Sequence, residues 1–368
     1  MDTAPLLPSS IRDQFTREVV YLNTATCGLP PRVAHEATLA VERDRARGRL
    51  TLDIAHQAVE RSRAAFARLV GVPVSRVAVG SQASFFVGLV AASLPPGATV
   101  VVAEEDFTSV TYPFLAATGR GVTVRPVPLD RIIDAVDTSV DLVSVSVVQS
   151  ADGRIVDVPA LLDAAATHGA RVLLDTTQSS GWLPIPADRV DYLVCSAYKW
   201  LLGPRGACFF AGTDDALAEL TPIAANWFAA EDITSAFYGT ELRLASDARR
   251  FDLSPAWASC VGLAPALELL ADLGEAALGA HNVALANRFC AALGLPPTDS
   301  AIVSVAVDAK AQQVLADAGI VAAMRAGRMR CAFHLSTDAA DVDRAVEEIG
   351  PYLRDANLEE AVRVPGDR

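Results

Sequence analysis

Between residues 76 and 212 the chain repeats one pattern, in which a short run of β-branched and apolar residues is followed by a stretch of helical periodicity. The runs fall at 76–79, 99–103, 122–127, 142–148, 172–174, 192–195 and 207–210. Such alternation predicts an α/β unit with a mostly parallel sheet covered by helices. Ahead of it, Gly28, Pro30 and Pro31 punctuate a loop, and helical periodicity then runs from about residue 32 to 70 with a break at 48–52. After residue 240 the pattern changes to alanine- and leucine-rich helices at 254–273 and 279–293. A strand at 301–307, a helix at 309–318, a strand at 329–332 and a helix at 340–353 follow, which predicts a smaller α+β unit. The expected division is an N-terminal segment, 1–30, a large α/β domain, 31–240, and a small C-terminal domain, 241–368. No internal repeat or low-complexity tract occurs, and the last ten residues are expected to fray.

Composition narrows the class. At 368 residues and 51% hydrophobic, the chain can bury a large core. Its longest apolar runs, 85–94 and 192–197, fall short of the roughly 20 residues that cross a bilayer, and residues 1–15 lack the basic and apolar order of a signal peptide. A cytoplasmic location is expected. A net charge of −13 disfavours nucleic acid and anionic lipid as partners. The six cysteines form no C-x-x-C pair and the five histidines have no metal-ligand spacing, so neither a disulfide framework nor a metal site is expected.

In α/β sheets ligands bind at the carboxyl ends of the strands, and the chemically distinctive residues follow the runs. Asp175 ends one run and Lys199 follows the next, 24 positions on. Either alone reads as an ordinary strand-end aspartate or a surface lysine. Together they suit pyridoxal 5′-phosphate (PLP), whose aldehyde needs an amine for a Schiff base and whose ring nitrogen needs a carboxylate to keep it protonated. Lys199 lies in Ser196-Ala-Tyr-Lys-Trp-Leu-Leu-Gly-Pro-Arg-Gly206. Desolvation in that aromatic and apolar setting lowers a lysine pKa and favours the neutral nucleophile. Gly80-Ser81-Gln82-Ala83-Ser84 follows a strand and opens a helix, an arrangement that can hold a phosphate on free backbone N–H groups. No G-x-G-x-x-G follows a strand, which removes the main support for a nicotinamide dinucleotide.

These motifs resemble the class V aminotransferases, the fold-type I PLP-dependent enzymes that include cysteine desulfurases, kynureninases and isopenicillin-N epimerases. The resemblance runs from Tyr21-Leu-Asn to Arg330-Cys-Ala-Phe-His334 and is most specific in Leu174-Asp-Thr-Thr-Gln178 and in the segment around Lys199. It implies that Asp175, Gln178, Ser196, Phe107, Gln82, Ala83 and Gln149 hold the cofactor, with Phe107 stacking on its ring, Gln178 and Gln149 near its phenolic oxygen, and Gln82, Ala83 and Ser196 at its phosphate. Arg330 would clamp the substrate carboxylate, as a planar, always-charged fork does well. Asn23, on an N-terminal segment that lines the substrate pocket, and His334 complete the expected substrate site, while Arg325 and Arg328 read as surface charges in a turn.

Departures from the family pattern limit the reaction. No cysteine occurs in 308–329, where desulfurases carry a nucleophile, and Cys331 should face away from Arg330. Tyr198 replaces the histidine common before the lysine. The Gly-Thr pair that reaches a neighbouring subunit's phosphate is replaced by Arg249-Arg-Phe-Asp-Leu-Ser254, leaving Ser254 or Thr240 for that task. The expected function is PLP chemistry through a Cα carbanion of a small α-amino acid, as an aminotransferase or a C–S/β-lyase, in a homodimer. The alternatives are an amino-acid epimerase or a catalytically idle PLP-fold binding protein.

Overall fold

The computed structural model describes residue 7 and residues 9–354, so the expectation for the final ten residues lies outside the described residues. The strands, in chain order, are β1 (Val20–Tyr21), β2 (Val77–Gly80), β3 (Thr99–Ala103), β4 (Thr123–Val127), β5 (Leu142–Ser146), β6 (Arg171–Asp175), β7 (Tyr192–Ser196), β8 (Cys208–Gly212), β9 (Ile302–Val305), β10 (Ile320–Val321), β11 (Ala323–Arg325) and β12 (Arg328–Ala332). Seven of them form one sheet in the order β2-β8-β7-β6-β5-β3-β4, in which β8 alone runs against the others. All residues of β5, β7 and β8 are buried, as expected where helices cover both faces of a sheet.

Alternation along the strands divides the core in two. Val101, Val143, Leu174 and Phe209 face the helices Leu52–Val70, Val158–His168 and Trp257–Leu273. Val100, Val102, Leu173 and Phe210 face the helix Ala83–Ser93. The break expected near residue 48 is real: helix Arg32–Ala46 ends before Gly48, at φ 70°, and Thr51 caps the next helix. Helix Trp257–Leu273 contributes Leu263, Leu267 and Leu270 to the core of the large sheet, so apolar packing continues across residue 240.

The C-terminal elements form a second layer. Helices Glu275–Ala292 and Ala339–Ile349 pack on the antiparallel sheet β11-β12-β9, with Met329 and Cys331 buried between them. The chain start is stitched onto this layer. β1 pairs in parallel with β10, and the Ala332 N–H donates to the Leu22 carbonyl. β1, β10 and β11 carry no run long enough to announce a strand; pairing across 300 residues of sequence supplies what local pattern does not for β1 and β10, and the hairpin with β12 does so for β11. No helix among the described residues is long and apolar enough to cross a membrane.

One buried ion pair fixes the edge of the large sheet next to the site. Arg63, on helix Leu52–Val70, donates to both oxygens of Asp252 at 3.0 and 2.7 Å and to the Val77 carbonyl at 2.7 Å. Asp252 also accepts the Val79 N–H at 2.7 Å, and the Leu253 N–H donates to the Val79 carbonyl. The open edge of β2 is thus closed by segment 252–253, which blocks edge-to-edge pairing and sets where Ser81 and Gln82 emerge. Arg63→Met leaves the Asp252 carboxylate buried without its cation. It should lower the unfolding free energy by about 3–5 kcal/mol, read as a lower urea midpoint at unchanged m-value.

Candidate active site

The carboxyl ends of β2, β3, β5, β6 and β7 open into one cavity of about 490 Å³. Asp175 at the end of β6 and Lys199 after β7 line it together, with Phe107 after β3 and Ser81, Gln82 and Ala83 after β2. Chain order reverses between β3 and β5: β4 lies outside β3, whereas β5 to β8 continue on the other side. Neighbouring connections diverge at such a switch point and leave a crevice. Here a buried carboxylate spans it, because Asp106 accepts the N–H groups of Phe107 and Ser146, each at 2.7 Å.

Lys199 is 7% exposed and Asp175 5% exposed. Burial pulls the Lys199 amine down to about 8, against the charge of Asp175, and the charges of Arg330 and Arg325 depress it further. Burial pushes the Asp175 carboxyl upward, against hydrogen bonds from the Thr177 hydroxyl and N–H and the nearby Lys199 charge. The two groups sense each other's charge, yet neither forms an ion pair among the described residues. They stand on the wall of a shared cavity, each without an ion-pair partner among the described residues. The donor set fits an aldehyde-bearing pyridine: a buried amine to condense with the aldehyde and a buried acid to take the ring nitrogen.

Other walls fit the same ligand. Phe107 is 48% exposed although it caps a helix beside the core, and its ring centroid lies 5.3 Å from the Lys199 amine. The helix Ala83–Ser93 opens with no side-chain cap at Gln82, and its first residues, Ala83 and Ser84, line the cavity, where helix-start N–H groups suit an anion. Ser196 also lines the cavity, and its N–H donates to the Thr177 hydroxyl at 3.0 Å, tying the ends of β6 and β7. Gln178 lines the wall as a hub. Its amide donates to the Ala25 carbonyl at 3.0 Å and accepts the Trp200 indole N–H at 2.7 Å.

The N-terminal loop closes over this segment. The Gly28 N–H donates to the Tyr198 carbonyl at 2.9 Å, and a Cβ at Gly28 would sit 2.0 Å from the Lys199 carbonyl oxygen. Only glycine permits that approach. Two residues earlier, Thr26 accepts from Arg330 at 2.6 Å. Arg330 is 2% exposed, donates also to the carbonyl of Ser150 on the cavity wall, and leaves its Nε buried without a partner. Burial first, and then the Arg325 charge, pull its pKa down to about 10. Arg330 joins no ion pair among the described residues, which leaves its charge available to an anionic group. Asn23 lies on the same loop, with its Oδ1 buried and unbonded.

Four expected site residues are not among those lining the cavity: Arg330 and Asn23, which stand behind it on the hairpin and the N-terminal loop, and His334 and Gln149. His334 donates from Nε2 to the Trp200 carbonyl at 2.9 Å and accepts the Leu335 N–H at Nδ1, with its ring stacked on Trp200. Burial holds it neutral, pulling its pKa down to about 4. It supports Trp200 from behind and does not line the cavity. β12 ends at Ala332, so strand alternation no longer fixes where His334 points. Gln149 likewise lies behind the wall, donating to the Ser146 carbonyl at 3.3 Å, whereas Ser146 and Ser150 line the cavity. Conversely, Thr26, Asp106, Thr177 and Arg205 carried no motif of their own. Arg205 lines the cavity and stacks on Tyr198 at 4.6 Å. Arg325, expected at the surface, is exposed there, and its guanidinium reaches the Thr26 hydroxyl. Cys331 does face away from Arg330, into the core.

A family model described as aminotransferase class-V matches residues 19–316. The chain is 30% identical over 232 residues to an uncharacterized aminotransferase, YcbU, of Bacillus subtilis, covering 60% of this chain and 61% of that protein. It is 29% identical over 224 residues to a probable cysteine desulfurase of Methanothermobacter thermautotrophicus, covering 56% of each. The match thus spans less than two thirds of the length of these curated relatives. Among solved structures, a variant of C-DES with glycine covalently linked to its PLP cofactor superimposes with a TM-score of 0.83 at 21% identity, over 93% of this chain and 99% of that one. At that identity the likeness establishes the fold.

The chain contains two lysines, Lys199 and the exposed Lys310, which makes the buried amine easy to follow. Because Lys199 titrates near about 8, its modification by an amine-directed reagent should rise about ten-fold per pH unit up to that point and flatten above it. Peptide mapping across pH 6 to 10 reads this out, and a rate still climbing through pH 10 would contradict the burial argument.

Proposed function

The chain belongs to the aminotransferase class-V family, and from that membership we propose that it is a PLP-dependent enzyme acting on an α-amino acid. The observation that carries the proposal is the pairing of a buried amine and a buried carboxylate, neither ion-paired, on the wall of one cavity. PLP supplies a covalent attachment point for the substrate amine and an electron sink for the electrons of a broken bond at Cα. The protein's residues supply the rest. Lys199, in its neutral form, is the nucleophile for the aldehyde and afterwards the base that takes the Cα proton. Asp175 keeps the ring nitrogen protonated, and the cation it gains there restores the carboxylate that burial disfavours. Phe107 covers one face of the ring, while the free N–H groups at Ala83 and the Ser196 hydroxyl hold the phosphate.

Arg330 binds the substrate α-carboxylate, and the Thr26 hydroxyl and Ser150 carbonyl hold its guanidinium in place. The aminotransferase and C–S/β-lyase outcomes both begin with proton removal by Lys199. Epimerisation is the second reading, since a lone base beside Cα also permits return of the proton. Persulfide transfer is not part of the proposal, because the hairpin of β11 and β12 closes in a two-residue turn, Ala326-Gly327, and residues 308–329 hold no cysteine.

A homodimer belongs to the same proposal. Tyr238 is 96% and Leu242 74% exposed, close to the half-exposed Phe237, an apolar surface suited to a partner. We further propose a large cofactor-binding unit and a smaller C-terminal unit, bridged by the helix Trp257–Leu273. A cytoplasmic location accords with six free cysteines, five of them buried.

Borohydride reduction after incubation with PLP should fix the cofactor's mass on the peptide containing Lys199 and leave Lys310 unmodified, and Lys199→Ala should abolish the adduct. An adduct on Lys310 alone, or on neither lysine, would refute the cofactor assignment. Arg330→Gln should leave that adduct intact and weaken amino-acid binding about 100-fold, the loss of a charge-assisted pair worth about 3 kcal/mol. Product analysis with a panel of amino acids and cysteine conjugates then separates the outcomes: dependence on an added keto acid marks transamination, and pyruvate with a released thiol marks C–S cleavage.

A further inference from the structure

The hairpin of β11 and β12 carries more positive charge beside the Ser150 wall of the cavity than one α-carboxylate neutralises, with Arg330 buried and Arg325 exposed. Its antiparallel register pairs Arg325 with Arg328 and Ala323 with Arg330, so all three arginines stand on one face. Arg328 turns along the sheet to Ser304. Arg325 and Arg330 instead converge on Thr26, whose hydroxyl oxygen accepts from one at 3.2 Å and from the other at 2.6 Å.

No carboxylate balances this pair. Neither Arg325 nor Arg330 forms an ion pair among the described residues, although the chain holds 44 acidic residues against 31 basic ones. With both acceptor sites of its oxygen taken, the Thr26 hydroxyl retains only its hydrogen, which is a donor for a further acceptor. Arg325 also acts electrostatically on Lys199, so its charge is felt inside the cavity. Two guanidinium groups and a hydroxyl donor form a receptor for two negative charges.

Resting on the PLP reading above, we propose that the preferred substrate is an α-amino acid whose side chain carries a second anionic group, bound by Arg325 and the Thr26 hydroxyl while Arg330 takes the α-carboxylate. Arg325 is then a specificity residue, set by the positive-φ turn Ala326-Gly327 that folds the strand back beside the N-terminal loop.

The test uses PLP-loaded enzyme and non-reacting acids, by calorimetry at fixed ionic strength. Dicarboxylates from succinate to adipate are compared with monocarboxylates of matched length. The tightest dicarboxylate should bind about ten-fold better than its matched monocarboxylate, as a charge-assisted contact gives. Arg325→Gln should bring that ratio close to one, and Arg330→Gln should weaken both classes. A ratio near one in the unmodified enzyme, or one that Arg325→Gln leaves unchanged, overturns the proposal. Formation of the borohydride-fixed Lys199 adduct reports on the cofactor reading separately. With the adduct present, a ratio near one removes the second-anion proposal alone; with it absent, both fall.

Discussion

Burial of an amine beside a carboxylate, with room between them, is the constraint on which the rest of this site depends. Water would hold Lys199 charged and inert as a nucleophile. Removing it from water brings the amine down to about 8, and the same burial drives Asp175 toward its neutral form. A direct ion pair would cancel both effects. The fold prevents one by placing the two groups at the ends of adjacent parallel strands with a cavity in front of them. That arrangement is stable because the surrounding hydrogen bonds are local and satisfied: Thr177 serves Asp175, and Asp106 ties the ends of β3 and β5.

The cavity walls come from residues 81–206, and both ends of the chain are tied onto them by joints that explain residues without obvious chemistry. Gly28 allows the N-terminal loop to lie on the backbone of Lys199. Gln178 clasps the same loop at Ala25 and steadies Trp200, which His334 supports in turn. Thr26 links the loop to Arg330, and Arg330 links back to Ser150. Lys199, Gln178 and Arg330 are therefore joined through the one N-terminal loop, the kind of support that holds a site in fixed geometry.

The charge distribution follows the same logic. In a chain with net charge −13, buried Arg330, exposed Arg325 and Arg205 against Tyr198 are free of ion pairs among the described residues, whereas most other arginines are matched with a nearby acid. An excess of acid on the surface lets these few cations act as a selective local field.

Local pattern was sufficient for the large sheet. Each β-branched run from 76 to 212 became a strand, and the residues just after them, Lys199, Asp175, Phe107, Ser196 and Ala83, face one cavity because strand ends in a parallel sheet necessarily share an edge. The resemblance to a family singled out Arg330. Residues whose role depends on partners far away in sequence were not legible. Arg325 and Thr26 meet across 299 positions, β1 and β10 across 300, and nothing in either local segment encodes the encounter. Gln149 and His334 do not line the cavity for a related reason: they follow strands that have already ended, where period-two alternation no longer sets direction. Sequence determined the element types and the chemistry available at strand ends, since both are set by near neighbours. Tertiary structure alone decided which of those groups share a cavity, which are screened behind its wall, and which charges are left without a partner.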